Sequence, residues 1–79
     1  MEKNWTLYIL ECGDGTLYTG ITDNLEKRLA AHRAGKGAKY TRGRSPIFLR
    51  YTEHCESHSQ ALRREIEVKR LSRSEKMKL

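Results

Sequence analysis

The stretch that decides the fold is WTLYILECGDGTLYTGIT, residues 5–22. Its first part, WTLYILEC (5–12), is rich in residues that favour β-strands, and apolar side chains occupy both odd and even positions. Apolar residues on both faces are typical of a central strand that is covered on both sides. GDG (13–15) predicts a turn, and TLYTGIT (16–22) predicts the returning strand of a hairpin.

The length of this turn sets the register of the hairpin. With the turn residues as the loop, the predicted pairs are Cys12 with Thr16, Leu10 with Tyr18 and Tyr8 with Gly20. Tyr8 and Tyr18 then point to the same face of the sheet as diagonal neighbours. A slip by one residue would separate the two rings, so their proximity depends on this register. The opposite face of the first strand carries Trp5, Leu7 and Ile9.

A first helix is predicted over residues 24–34. Asp23 and Glu26, three residues apart, are typical of a capping box at its start, and Gly35 is typical of a helix end. The predicted buried stripe consists of Leu25 and Leu29. Because successive helical residues turn by about 100°, Arg28 and His32 project from the edge of that stripe, one turn apart.

The remaining segments complete an α+β fold. GKGAKYTRGRSP (35–46) predicts a basic loop with at most one helical turn, and IFLRYT (47–52) predicts a third strand. A last helix is predicted over 59–71, with Ser57 and Gln60 as its cap, and the tail 72–79 adds a turn or frays. We therefore expect one domain, residues 1–79, with a three-stranded, mostly antiparallel sheet flanked by helices.

Composition indicates a small polar domain with a positive field. The 79 residues are 37% hydrophobic and 33% charged, and 16 Lys and Arg against 10 Asp and Glu give a net charge of +6. Such a field favours polyanions, above all nucleic acid, although a basic surface that only aids solubility is the alternative.

The sequence also argues against several classes of protein. No stretch approaches the roughly 20 apolar residues that span a bilayer, and the first residues do not resemble a signal peptide. Cys12 and Cys55 form no CxxC motif, so neither a zinc site nor a disulfide scaffold is supported. We expect a cytoplasmic monomer with no membrane partner, in which both cysteines are reduced and act as small hydrophobes.

The last helix carries a charge where its pattern predicts an apolar residue. The predicted apolar arc consists of Ala61, Leu62, Ile66 and Val68. Glu65 falls inside this arc, and burying an isolated carboxylate costs several kcal/mol unless it is paired, protonated or bound to a metal. Lys69 and Arg28 are candidate partners. A divalent cation is the other possibility, since Mg²⁺ often takes one protein carboxylate plus waters and phosphate oxygens.

Taken in order, these residues resemble a known family. TLY (6–8) followed by YTG (18–20) is similar to the paired motifs that name the GIY-YIG nuclease superfamily. The resemblance continues with Arg28 and His32 on the first helix and Glu65 on a later one. LYTGIT, GAKYTRGR and ALRRE look most like the small stand-alone bacterial members, often called YhbQ-like.

The resemblance implies an endonuclease that hydrolyses phosphodiester bonds in DNA, selects DNA structure and acts in repair or recombination. It implies Mg²⁺ or Mn²⁺ on Glu65 as the metal, and no organic cofactor. The matching catalytic positions are Tyr8, Tyr18, Arg28, His32 and Glu65, with Gly20 as a structural part of the second motif. Which of Tyr8, Tyr18 and His32 is the base stays open.

The basic loop would then contact the nucleic acid. The expected binding residues are Lys39, Tyr40, Arg42 and Arg44, with Tyr40 stacked on a base.

Some positions depart from the family pattern. The first motif lacks the leading Gly and Ile, Thr19 stands in the middle of the second, and the supporting Asn that many members carry beyond the glutamate helix is absent. Two other functions therefore stay open: a non-catalytic nucleic-acid-binding module on the same scaffold, and an interaction protein whose basic face docks an acidic partner.

Overall fold

The computed structural model describes residues 4–79 and contains one antiparallel sheet of three strands, in the order β2-β1-β3. The strands are β1 (Trp5–Glu11), β2 (Leu17–Thr22) and β3 (Phe48–Cys55). The helices are α1 (Leu25–Arg33), α2 (His58–Lys69) and α3 (Arg73–Met77), and a 3-10 turn covers Lys39–Thr41. The predicted α+β class is therefore confirmed, and the sheet is antiparallel throughout.

The predicted hairpin register is confirmed. Tyr8 pairs with Gly20 and Leu10 pairs with Tyr18, while the amide of Cys12 donates to the carbonyl of Thr16 at 2.8 Å. This register places the Tyr8 and Tyr18 rings on one face of the sheet, with their centroids 6.3 Å apart. The turn chemistry of the loop therefore fixes the distance between two candidate site residues.

The central strand β1 is buried on both faces, as its composition predicts. On one face the core consists of Leu7, Ile9, Cys55, Ala61 and Val68. On the other face it consists of Tyr8, Leu10, Cys12 and Ile47, with Leu25 and Leu29 packed against them. Both cysteines are buried and free, as expected. No helix within residues 4–79 has the length and apolar character needed to cross a membrane.

Helix α1 begins one residue later than predicted. The predicted capping box of Asp23 and Glu26 is wrong: Asn24 is the N-cap, and its side chain accepts a hydrogen bond from the amide of Lys27 at 3.2 Å. Asn caps a helix as well as Asp does, and the hydroxyl of Thr22 holds the Asn24 amide at 3.0 Å. The predicted end at Gly35 is confirmed, since Gly35 has a φ of +75° and donates to the carbonyl of His32.

The later elements differ from the prediction in their bounds. The third strand extends to Cys55 because it continues to pair with β1 as far as Trp5. The Ser57 hydroxyl caps α2 by accepting from the amide of Gln60 at 3.1 Å, as predicted. The tail does not fray: Ser72 and Glu75 form a capping box that starts the short helix α3.

The predicted apolar arc of the last helix is wrong in part. Ala61 and Val68 are fully buried, but Leu62 and Ile66 are 42% and 53% exposed. Ala61 and Val68 are seven residues apart and therefore share the face that packs on the sheet. Leu62 and Ile66 lie roughly a quarter-turn or more from that face, because each residue advances by about 100°. Glu65 stays on the inner side of α2, between Ala61 and Val68.

Thr19 offers a test of packing in this core. Thr19 is 3% exposed, and within residues 4–79 its hydroxyl has no hydrogen-bond partner. A buried hydroxyl without a partner is costly, so we expect Thr19→Val to raise the free energy of unfolding by about 1 kcal/mol. Thr41→Val, which removes a hydroxyl that is hydrogen bonded, is the control and is expected to lower it. Urea unfolding of both variants checks this; a destabilised Thr19→Val would contradict it.

Candidate active site

The candidate site lies where β1 and β2 meet α1, and the Tyr8 hydroxyl is at its centre. Gly20 faces Tyr8 across the hairpin, and a Cβ added there would lie 2.5 Å from the Tyr8 hydroxyl oxygen. Glycine at this position therefore makes room for the buried phenol. The carbon would also lie 3.1 Å from the Tyr18 ring, so Gly20 sets how closely both tyrosines approach β2.

His32 connects Tyr8 to the basic loop through a chain of hydrogen bonds. The Thr41 hydroxyl donates to the carbonyl of Ala38 at 3.0 Å and lies 2.8 Å from Nδ1 of His32. Since a hydroxyl has a single proton, it accepts from the Nδ1–H group, which leaves Nε2 unprotonated. Nε2 then accepts from the Tyr8 hydroxyl, 3.0 Å away. The geometry therefore favours a neutral His32 whose Nε2 atom accepts a hydrogen bond from the Tyr8 hydroxyl.

The environment of His32 favours the same neutral form. Burial lowers the pKa of His32 from its ordinary value of 6.5, and the nearby positive charge of Arg28 lowers it further. The side chain was expected at the edge of the helix stripe, but it is 1% exposed. The loop covers it: a Cβ on Gly37 would lie 2.8 Å from Cγ of the ring, so only glycine allows this approach.

The lowered pKa of His32 makes the stability of the protein depend on pH. Between the folded and unfolded pKa values the unfolded chain binds more protons, so acid favours unfolding. The contribution is fully present above the ordinary value of 6.5 and is lost as pH falls through the folded pKa. We expect the free energy of unfolding to drop as the pH falls below about 6.5, and this drop to disappear in His32→Gln. Exposed His54 serves as control: a drop that disappears in His54→Gln instead would contradict the assignment.

Arg28 lies against both tyrosines. Interactions of its guanidinium with the side chain of Tyr8, and to a lesser degree with that of Tyr18, raise the pKa of Arg28. Burial raises the pKa of Tyr8, and this effect outweighs the lowering by Arg28. The guanidinium is half-buried, so one side of it remains open to a ligand. Arg28 therefore lies beside two phenols and can still contact an anion from solvent.

An aromatic row leads from the buried centre to the surface. Tyr18 lies between His32 and Tyr40, with ring centroids 5.4 Å and 5.7 Å away. The guanidinium carbon of Arg44 lies 4.6 Å from the centroid of the Tyr40 ring. Arg44 is also paired with Asp14 at the tip of the hairpin, at 2.5 Å. This row, which consists of His32, Tyr18, Tyr40 and Arg44, ties the basic loop to the hairpin.

The four predicted loop residues are thus not equivalent. Tyr40 and Arg44 belong to the aromatic row, whereas Lys39 and Arg42 are exposed on the same loop. The roles of Thr41 and Gly37 were not anticipated from the sequence, because a lone Thr and Gly in a basic loop are also typical of an ordinary turn.

Glu65 reaches the site from α2. Its side chain is 19% exposed, and its Oε2 atom lies 3.4 Å from Nζ of Lys69, which confirms the ion pair predicted from their spacing. Its negative charge is one of the influences that raise the pKa of Tyr8, so Glu65 and Tyr8 are electrostatic neighbours. Within residues 4–79, His, Cys, Asp and Glu form no group of three or more able to hold a metal. A metal here would therefore depend on the single Glu65 carboxylate, a donor set that suits a Mg²⁺ ion completed by water and phosphate oxygens.

Burial separates the candidate residues into two sets. Tyr8 and His32 are each 1% exposed and cannot contact a bound substrate without moving. Tyr18, Arg28 and Glu65 are all partly exposed. The candidate residues therefore comprise a buried pair, Tyr8 and His32, and three residues that solvent can reach, Tyr18, Arg28 and Glu65.

Comparisons with known proteins show which family this chain belongs to. Residues 4–78 match the GIY-YIG catalytic domain. A UPF0213 protein from Halobacterium salinarum is 56% identical over 70 residues, which cover 89% of this chain and 91% of that protein. A UPF0213 protein from Staphylococcus haemolyticus is 53% identical over 79 residues, 100% of this chain and 95% of that protein.

Solved structures show the same fold. The solution NMR structure of a UPF0213 protein from Bacillus halodurans has a TM-score of 0.60 and 51% identity, and covers 95% of this chain and 80% of that chain. The solution NMR structure of a protein from E. faecalis has a TM-score of 0.68 and 40% identity, covering 99% of this chain and 85% of that chain. With the family match over residues 4–78, these similarities show that the chain belongs to the GIY-YIG nuclease family, alongside the small UPF0213 proteins.

Proposed function

We propose that this protein is a metal-dependent endonuclease that hydrolyses phosphodiester bonds in DNA, selects its substrate by structure, and acts in repair or recombination. One observation carries the proposal: Tyr18 and Arg28 are partly exposed beside the buried Tyr8–His32 pair, and the partly exposed carboxylate of Glu65 is near enough for its charge to influence Tyr8. A fold that needed only a basic surface would have no use for a carboxylate at this place.

Arg28 is the residue that binds the scissile phosphate. Its charge is permanent and its planar fork matches two phosphate oxygens, so it stabilises the charge that builds on them in the transition state. The guanidinium interacts with the side chains of Tyr8 and Tyr18, which places its charge beside the buried phenol before substrate arrives. Tyr8 is in turn held by His32. Tyr8 and His32 are therefore positioning residues, although the sequence left both as candidate bases.

Tyr18 is the residue that accepts the proton of the attacking water. Among the three candidate bases it alone is accessible, since Tyr8 and His32 are fully buried. To act as a base, Tyr18 must first release its own proton to solvent, and the neighbouring positive charge of Arg28 favours the tyrosinate; this tyrosinate then takes the proton of the attacking water and becomes the neutral phenol again. Geometry and electrostatics thus favour the same group.

Glu65 is the residue that would hold the divalent metal. When bound, Mg²⁺ or Mn²⁺ supplies Lewis-acid polarisation of the phosphate and stabilises the leaving oxygen. Lys69 does not block this role, because it contacts one carboxylate oxygen at 3.4 Å and its own side chain is 53% exposed. An exposed ion pair of this kind is worth about 1 kcal/mol or less, so Lys69 is free to move aside.

A nicking assay tests the proposal. Supercoiled plasmid and branched DNA are incubated with the protein at low salt, with Mg²⁺ or Mn²⁺ or with a chelator. We expect cleavage only with metal, and a loss of about 100-fold or more in Tyr18→Phe, the size that general-base catalysis usually contributes. Tyr40→Phe keeps its ring in the aromatic row and serves as the matched control, with cleavage close to the native rate.

Two results would contradict the proposal in different ways. If Tyr18→Phe cleaves DNA as fast as the native protein does, Tyr18 is not the base. Absence of cleavage by the native protein, with salt-sensitive DNA binding retained, would make the chain a binding module on a nuclease scaffold.

A further inference from the structure

A groove next to the candidate site is formed by the hairpin tip, the basic loop and the C-terminal helix. It has a volume of about 520 Å³, with Leu17 and Tyr40 on one wall and Arg73 and Lys76 of α3 on the other. Tyr40 also belongs to the aromatic row and lies next to Tyr18, so the groove adjoins the candidate site. Neither the family motifs nor the basic loop accounts for the two cations of α3.

The position of α3 is fixed by specific contacts. The capping box of Ser72 and Glu75 starts the helix, and the Arg73 guanidinium donates a hydrogen bond to the carbonyl of Gly15 in the hairpin turn. The Arg50 guanidinium approaches the Met77 sulfur at 4.0 Å. The two cations are therefore held at a set place beside the hairpin rather than on a loose tail.

The charge of the groove is positive. Its acidic residue, Asp14, is neutralised by Arg44 at 2.5 Å and accepts a hydrogen bond from the Thr16 hydroxyl at 2.6 Å. Within residues 4–79, neither Arg73 nor Lys76 forms an ion pair with an acidic side chain. The charge available to bind a ligand in this groove is therefore the positive charge of Arg73 and Lys76.

We propose that this groove binds a single strand of DNA that continues from the scissile phosphate. A phosphate lies between Arg73 and Lys76, and the attached sugar and base pack against Leu17 and Tyr40. Cationic side chains next to an aromatic side chain are typical of proteins that bind single-stranded nucleic acid. The inference rests on the proposed nuclease function and gives a source for structure selectivity, because a strand leaving the duplex at the site can enter the groove.

Binding without cleavage tests this inference. Fluorescence anisotropy with a labelled oligothymidylate of about 12 nucleotides, in chelator, measures strand affinity apart from catalysis. We expect Lys76→Gln to weaken binding about fivefold and to reduce the slope of log affinity against log salt by about 0.7. Lys78→Gln removes an equal charge two residues further along, at the C-cap of α3 and outside the groove, and is expected to bind within about twofold of the native protein.

The outcomes are distinguishable from failure of the nuclease proposal. Equal losses in Lys76→Gln and Lys78→Gln would overturn the groove, because overall charge alone would then explain binding. Native affinity in Lys76→Gln, with cleavage intact in the native protein, would overturn the groove and leave the nuclease standing. Arg73→Gln is a second variant; its thermal unfolding is measured in parallel, since its contact with Gly15 also anchors α3.

Discussion

Glu65→Gln is expected to reduce metal-dependent nicking by about 100-fold or more while leaving the fold intact. Gln keeps the size and shape of the side chain but removes the carboxylate whose charge influences Tyr8. The loss of the ion pair with Lys69 costs little, because the Lys69 side chain is 53% exposed. Rates of plasmid nicking, with circular dichroism of both proteins, check the prediction.

Glu67→Gln is the matched control for this substitution. Glu67 lies on the same helix, its side chain is 66% exposed, and it is 3.7 Å from Arg64. It carries the same charge outside the site, so this variant is expected to cleave like the native protein. A Glu65→Gln protein that unfolds, or that cleaves at the native rate, would show that the carboxylate is only structural.

Gly20→Ala is expected to destabilise the protein by about 2–3 kcal/mol and to abolish cleavage with it. The new Cβ would lie 2.5 Å from the Tyr8 hydroxyl oxygen, well inside contact distance. Tyr8 cannot retreat easily, because its hydroxyl is bonded to His32 at 3.0 Å and its ring is buried. The midpoint of urea unfolding measures the effect.

A second glycine provides the comparison. Gly43 has a φ of +74°, but a Cβ there meets no atom within 4 Å. Gly43→Ala therefore costs only the backbone strain of a left-handed alanine, about 1–2 kcal/mol. If Gly20→Ala unfolds no earlier than the native protein, the close approach of Tyr8 to β2 is not part of the folded state.

Local sequence signals predicted the parts of the fold that local chemistry controls. The length of the turn after Cys12 set the register that brings Tyr8 opposite Gly20, and Gly35 marked the end of α1. The inner face of α2 was harder to predict, because two overlapping arcs are apolar and only packing against the sheet selects Ala61 and Val68. The ends of β3 likewise depend on its pairing with β1.

Some features of the candidate site could likewise be predicted from the sequence, and others could not. Spacing on α1 predicted that Arg28 and His32 lie one turn apart, the hairpin register paired Tyr18 with Tyr8, and the apolar arc of the last helix singled out Glu65; the resemblance to the family added their expected catalytic roles. The burial of His32 could not be predicted, since it depends on how the loop folds back to place Thr41 at Nδ1. The difference in burial between Tyr8 and His32 on one hand and Tyr18 on the other is seen only in the structure.

The central claim is that Tyr18 and Glu65 act on one phosphate. Single-turnover nicking by Tyr18→Phe, Glu65→Gln and the double variant tests it most directly, since groups that act as a unit have non-additive effects. The account expects the native protein to nick DNA with Mg²⁺ or Mn²⁺, and the double variant to be no slower than the slower single variant. Losses that multiply in the double variant, or a native protein that does not cleave, would contradict it.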